Sequence, residues 1–309
     1  MSKIHKALEI LRQNQQTAPQ AESLAEPQAG EDAATAAANA QSAALARSTE
    51  PAEPAGLSKS QQIGRVWQID VAALVESGLY PPEESRAEIA QDFRRIKRPI
   101  INGAFGVDAI AAENANLIMI AGPLPKAGKT FCAVNLAASI ARERDVGAVL
   151  VDADVLKPNI SRVVGLESEV GLIDHLLDPS ISLGDIVYQT DFHGIAVVPA
   201  GQRHPEATEL LASRRMGEFV SALSQNFSSR MIIVDTPPLL VTNEAHVLSE
   251  HMGQIVMVIE AGVSTQESVI GALESLNRDK PINAILNKSR VGTFGDYGRG
   301  AYDYNYTPE

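Results

Sequence analysis

The sequence predicts an α/β fold, a mostly parallel β-sheet with helices on both faces. Three observations predict it. Short apolar runs recur along the chain, at residues 117–121, 146–152, 194–199, 231–235, 254–260 and 282–287. Their continuous hydrophobicity suits strands buried on both sides rather than strands with one wet face. Longer stretches of helical pattern separate them, at 131–141, 206–227 and 264–277, and strands alternating with helices imply parallel pairing. The third observation is the octapeptide PLPKAGKT at residues 123–130, set between the first apolar run and the first helical stretch. Strand, loop and helix in that order are the context that a phosphate-binding loop requires.

The chain begins with Ile4, Ala7, Leu8 and Leu11 at helical spacing, which predicts a short amphipathic helix over residues 1–13. It is too short to be stable in isolation and needs something to dock on. Residues 14–64 are rich in Ala, Gln, Glu, Pro and Ser and carry almost no large apolar side chains. Such a segment cannot offset its ordering entropy and is expected to be a disordered linker. Order is expected to resume near Val66 and Trp67, opening a domain over residues 65–290. Asp70 and Gly78 bracket a short helix as N-cap and C-terminal glycine, and Pro81 and Pro82 break it. A second helix is expected over 85–97, with Ser85 as cap and Glu88 three residues on. It should stop in the basic run 94–98, before Pro99, because proline disfavours helix at the residue preceding it. The last stretch, 291–309, is rich in Gly, Asp and Tyr and is expected to be a flexible tail. Tyr297, Tyr302, Tyr304 and Tyr306 are four of the six tyrosines in the chain.

Composition narrows the function classes. A net charge of −12 and a pI near 5.0 argue against a nucleic-acid-binding surface. The single cysteine, Cys132, excludes an intramolecular disulfide and reads as a core residue. The six histidines have no metal-ligand spacing. No apolar run is long enough for a helical membrane span, and no secretory leader is expected at the N-terminus.

The chemistry lies at the carboxyl ends of the strands, where ligands of such sheets sit. Loop residues Pro125, Lys126, Ala127, Gly128, Lys129, Thr130 and Phe131 would present backbone N–H groups to an anion at a helix N-terminus. Lys129 would reach the β- and γ-phosphates of a nucleotide, and the Thr130 hydroxyl would ligate Mg²⁺. Pro123 stands where the general phosphate-loop pattern has its first glycine. Asp235 ends one apolar run and would share the metal with Thr130. Asp152 and Asp154 follow another. One of these two could take a proton from a nucleophile and the other help hold the metal; strand-end capping is the plainer alternative for both. A water nucleophile would make an ATPase, and a tyrosine hydroxyl a kinase, whose phenol needs a carboxylate to accept its proton.

These residues resemble the bacterial P-loop tyrosine kinases, the BY-kinases. That family has a Walker A loop, a D-x-D motif, a Walker B strand and a C-terminal tyrosine cluster, matched here by 123–130, Asp152-Ala-Asp154, 232–235 and Tyr297 to Tyr306. Gly201, residues 209–213 (ELLAS) and Thr236-Pro237-Pro238 are further matches. Residues 1–9 and 92–99 look closest to the exosortase-associated tyrosine autokinases of exopolysaccharide gene clusters. The resemblance implies the deviant-Walker, partition- and septum-ATPase-like superfamily of P-loop NTPases, ATP and Mg²⁺ as ligands, and autophosphorylation of the C-terminal tyrosines in control of exopolysaccharide synthesis or export. It also implies adenine reading by Asn287, metal support by Asp235 and Asp154, proton acceptance by Asp152, phosphorylation between subunits of a homo-oligomer, and activation by a membrane-embedded polysaccharide chain-length protein. The chain would then be cytoplasmic and held at the inner membrane through that partner.

Three places depart from the family pattern. Leu156 stands where the family has an arginine after D-x-D, with the basic residue Lys157 one position later. The oligomerisation motif E-x-x-R-x-x-R is matched as Gln91, Arg94 and Lys97, or one residue on as Asp92, Arg95 and Arg98. Leu124 occupies the position of the signature lysine of the partition ATPases, which speaks against a partition-type ATPase switch. A non-catalytic nucleotide-binding scaffold is the third reading.

Overall fold

A computed structural model of the chain describes residues 65–106, 109, 114–277 and 279–289. The expected N-terminal helix, the linker up to residue 64 and the tyrosine tail lie outside the described residues.

The sheet is built on β2 (Leu117–Ala121), β3 (Gly147–Asp152), β6 (Arg230–Asp235), β7 (Gln254–Glu260) and β8 (Ile282–Asn287), all five at runs the sequence marks as strands. Three short strands complete it: β1 (Arg65–Trp67), β4 (Tyr188–Thr190) and β5 (Ala196–Val198). Their spatial order is β1-β4-β5-β3-β6-β2-β7-β8. Every pairing is parallel except β4 with β5. β1 and β4 are not among the sequence-predicted strands, and β5 is shorter than the expected 194–199.

Side chains alternate between two cores, as the pleat requires. Leu117, Met119 and Ala121 of β2 face one core, and Ile118 and Ile120 face the other. The first core is covered by α5 (Leu172–Leu177), α7 (Ala207–Leu211), α8 (Arg214–Asn226), α9 (Glu244–His251) and α10 (Gln266–Glu274). The second lies under α1 (Val71–Glu76), α2 (Glu83–Phe105), α3 (Lys129–Ile140) and α4 (Asn159–Val163). A small helix, α6 (Leu183–Ile186), leads into β4. The predicted mostly parallel sheet with helices on both faces is therefore the observed one.

Local signals behave as expected in α1. The Asp70 carboxylate accepts from Ala72 N at 2.8 Å, and Gly78 beyond the C-terminus has φ 73°, the left-handed conformation glycine tolerates. The stretch 206–227 splits into two helices at Ser213, whose side chain accepts from Met216 N and caps α8.

α2 differs from expectation. It starts at Glu83 after N-cap Pro82, so Ser85 lies inside it, and it runs past the basic stretch and through Pro99 to Phe105. Phe93, Lys97 and Ile100 form one buried stripe at spacings of four and three. Pro99 itself is exposed. Packing of that stripe on the second core carries the helix across a residue that costs it one backbone hydrogen bond.

Candidate active site

The loop between β2 and α3 is held from two sides. On one, Leu239 N donates to Gly122 O at 3.0 Å and Leu240 N to Pro123 O at 3.1 Å. On the other, at the end of β8, Asn287 Nδ2 donates to Ala127 O at 2.9 Å and Lys288 Nζ to Lys126 O at 2.7 Å. Glu260 at the end of β7 pairs with Lys288 at 3.0 Å and fixes it. Gly128 has φ 93°, and a Cβ there would lie 2.1 Å from Asn287 Nδ2, so glycine is needed both for the turn and for the approach of that amide. With its carbonyls anchored this way, the loop leads into α3 at Lys129, whose first-turn N–H groups have no partner within the helix.

Parallel pairing places the carboxylates. Asp152 and Asp235 are register partners at the ends of adjacent strands, and both are buried, at 0% and 1% exposure. Asp152 Oδ2 accepts from Ser161 N at 2.8 Å and Ser161 Oγ at 2.7 Å, while Ser161 Oγ accepts from Ala200 N at 3.0 Å. The Oδ1 atoms of Asp152 and Asp235 are buried without a hydrogen-bond partner among the described residues. Burial pushes Asp152 up to about 7 against the hydrogen bonds from Ser161. Burial and then the neighbouring Asp152 push Asp235 up to about 8, opposed by a hydrogen bond from the Thr130 side chain and by Lys129.

Lys129 is also buried, and desolvation lowers its pKa against the attraction of Asp235 and Asp154. Asp154 is half-buried, accepts from Lys157 N at 3.1 Å, and is raised chiefly by burial. Cys132 is buried and its thiol is pushed up to about 12, so it is a core residue, as its place in the sequence suggests.

Above these groups opens a cleft of about 1180 Å³. Lys129, Thr130 and Asp154 line it on one side, and Leu79, Phe93 and Phe131 are among its apolar residues. Pro125, Lys126, Gly128 and Asn287 also reach it, whereas Ala127 is buried in the loop. The structure thus gathers every predicted site residue of the described chain at one end of the sheet. Tyr297, Tyr302, Tyr304 and Tyr306 fall outside the described residues.

The donor set suits a hard divalent cation. Two buried carboxylates in register, each with an orphaned oxygen, and a hydroxyl bonded to one of them need a positive charge to share. Among the described residues no group of three His, Cys, Asp or Glu forms a cage from protein ligands alone.

Sequence reasoning missed several residues here. Lys288 braces the loop, and its neighbour Asn287 was the only available signal. Lys157, Arg162 and Arg203 bring positive charge to the cleft wall; Lys157 stood beside the D-x-D motif and Arg203 two residues after the matched Gly201, while Arg162 had no such signal. Of the two frames of the oligomerisation motif, Lys97 of the first is spent internally, donating to Ser139 O at 2.6 Å and to Glu143 at 2.8 Å. Asp92, Arg95 and Arg98 of the second are all exposed.

No protein-family model matches the chain. Among curated proteins, it is 30% identical over 197 residues to the tyrosine-protein kinase wzc of Salmonella typhimurium, covering 62% of this chain and 27% of that protein. The chain therefore spans about a quarter of the length of that relative. It is 32% identical over 183 residues to the tyrosine-protein kinase YwqD of Bacillus subtilis, covering 59% of this chain and 76% of that protein. The solved kinase domain of the Escherichia coli tyrosine kinase ETK superposes with a TM-score of 0.53 at 30% identity, covering 61% of this chain and 74% of that one. A phosphate loop, strand-end carboxylates in register and these likenesses converge, and the chain belongs to the bacterial P-loop tyrosine-protein kinases.

Proposed function

We propose that the chain is an ATP-dependent protein-tyrosine autokinase that phosphorylates its own C-terminal tyrosines, Tyr297, Tyr302, Tyr304 and Tyr306. The observation that carries this reading is the braced loop beside Lys129, Thr130 and three carboxylates, in a chain of this family. In that reading the loop N–H groups and the start of α3 cradle the phosphates, and Lys129 neutralises charge that develops on the transferred group. Thr130, Asp235 and, in register with it, Asp152 are the metal-side groups, and bound Mg²⁺ would supply charge neutralisation across the phosphates. Asn287 keeps its Nδ2 on Ala127 O, which leaves Oδ1 free to accept from an adenine amino group.

The proton acceptor was expected to be Asp152. Its elevated pKa suits a base working near neutral pH, but its burial and its bonds to Ser161 set it behind the cleft wall. Asp154, which reaches the cleft, is the better placed group to meet a phenol, with Asp152 on the metal side beside Asp235. Phosphorylation between subunits fits the exposed Asp92, Arg95 and Arg98 on α2, which offer a charged face to a second copy. Among the described residues no helix is long and apolar enough to cross a membrane, and activation by a membrane-embedded polysaccharide chain-length protein, in control of exopolysaccharide synthesis or export, completes the proposal.

Intact-mass analysis of the full chain purified from cells, with and without phosphatase, tests it. Mass increments of one phosphate each, removed by phosphatase and absent from Lys129→Met, are expected. An unmodified wild-type chain that nonetheless hydrolyses ATP would favour the partition-type ATPase switch instead.

A further inference from the structure

Away from the cleft, a second cavity of about 250 Å³ lies between α2 and the C-terminal half of α3. Its charged lining is unusual for a chain of net charge −12. Arg86, Arg94, Lys97 and Arg142 all line it, and Glu143 is the one carboxylate among its described residues. Lys97 and Glu143 satisfy each other at 2.8 Å, which leaves three arginines. Among the described residues none of the three has a carboxylate within ion-pair distance.

Arg86 is held in place: its guanidinium lies 5.2 Å from the centroid of the Tyr80 ring and one terminal nitrogen donates to Pro81 O at 3.4 Å. Tyr80 in turn meets His193 Nε2 at 3.3 Å through its hydroxyl. The Arg86 Nε atom is buried and has no hydrogen-bond partner among the described residues. A buried guanidinium donor without an acceptor carries a substantial desolvation cost. The positive field is felt nearby as well, where burial and then Arg142 and Arg86 hold His193 below its usual pKa.

We propose that this cavity is a binding site for a phosphoryl group, distinct from the nucleotide cleft. Guanidinium groups match phosphate oxygens in a forked, two-bond geometry that a lysine does not offer. The anion would accept from Arg86 Nε and bridge to Arg94 and Arg142, which come from α2 and from just beyond α3. It would thereby tie α2 to the helix that starts at the phosphate loop. The same chemistry has two sources, a free phosphate anion or the phosphotyrosine of a tail. A free anion would bind whether or not the chain is a kinase, whereas the phosphotyrosine source rests on the proposed tail phosphorylation.

The test is calorimetric titration of the full chain, saturated with ADP and Mg²⁺ so that the cleft is filled, with inorganic phosphate and separately with O-phosphotyrosine. One equivalent is expected to bind. Arg94→Gln/Arg142→Gln, which changes two exposed side chains, should weaken binding at least tenfold while leaving ADP affinity unchanged. Ala90→Glu, which places a carboxylate at the cavity wall, should do the same. Phosphate binding without phosphotyrosine binding identifies a free anion, and tighter phosphotyrosine binding identifies the tail. Equal affinity in wild type and both variants, or no binding of either probe to the wild type, overturns the proposal.

Discussion

A buried lysine lies at each end of α3, Lys129 of α3 itself and Lys97 of α2, and the two are opposites. At the N-terminal end Lys129 is 7% exposed, and the carboxylates near it, Asp235 and Asp154, are themselves raised by burial. Toward the C-terminal end Lys97, 5% exposed, donates to Ser139 O of the last turn and pairs with Glu143. Lys97 has its partners within the protein and serves the fold. Lys129 sits in a site whose charges balance only when something else arrives. The difference teaches that burial alone does not mark a functional lysine; the completeness of its hydrogen bonding does.

Substituting the two lysines should separate these roles. Lys129→Met is expected to lower phosphotransfer by about 10²–10³-fold, the cost of one preorganised donor to transition-state charge, with the urea midpoint close to wild type. Radiolabel incorporation and chemical denaturation read the two quantities; comparable activity would refute the division of labour. Lys97→Met should do the reverse, losing about 1–3 kcal/mol of stability because Ser139 O is left without its donor, with ADP affinity retained at temperatures where the protein is folded.

The unbalanced charge at the Lys129 end has a pH signature. An unfolded aspartate titrates near 3.8, whereas Asp152 and Asp235 titrate near 7 and 8 in the fold. Between those values the folded chain binds more protons than the unfolded one, so stability falls as pH rises through that window. In metal-free, nucleotide-free protein the loss from pH 5.5 to 8 is expected to be on the order of 3–5 kcal/mol, shared by the coupled pair. Melting curves across that range should flatten in Asp235→Asn. A melting temperature that climbs over the same interval would contradict the assignment. Smallest of the four, Asn287→Ala removes one brace of the loop. A lost hydrogen bond of about 1 kcal/mol would weaken nucleotide binding about fivefold, measurable by fluorescent-nucleotide displacement.

Much of this was legible in the sequence because it was local. The run before Pro123, the glycine-lysine-threonine turn and the buried stretch after it specify strand, loop and helix by pattern alone. So do the apolar runs ending in Asp152 and Asp235. What escaped was set by tertiary contacts. β1 and β4 are three residues each, too short to show a period, and they exist because β1 pairs with β4 and β4 also with β5. Pro99 reads as a stop until Phe93, Lys97 and Ile100 are seen packing as one stripe. Lys97 reads as one charge of a basic run, and only the position of Ser139 on a different helix makes it a buried residue. The pairing of Asp152 with Asp235 depends on strand order, which no local pattern encodes.

The bond from Asn287 to Ala127 has a kinetic consequence. Among the described residues β8 is the last strand of the sheet and pairs only with β7, through all six of its residues. Edge strands open locally at a fraction of the global unfolding free energy. Whenever the end of β8 frays, Ala127 and Lys126 lose their tethers together, and the phosphate loop loses one of its two supports. Amide hydrogens of the loop and of β8 should therefore exchange as one cooperative unit, and the opening rate of an edge strand would set a floor under how fast a bound nucleotide can leave.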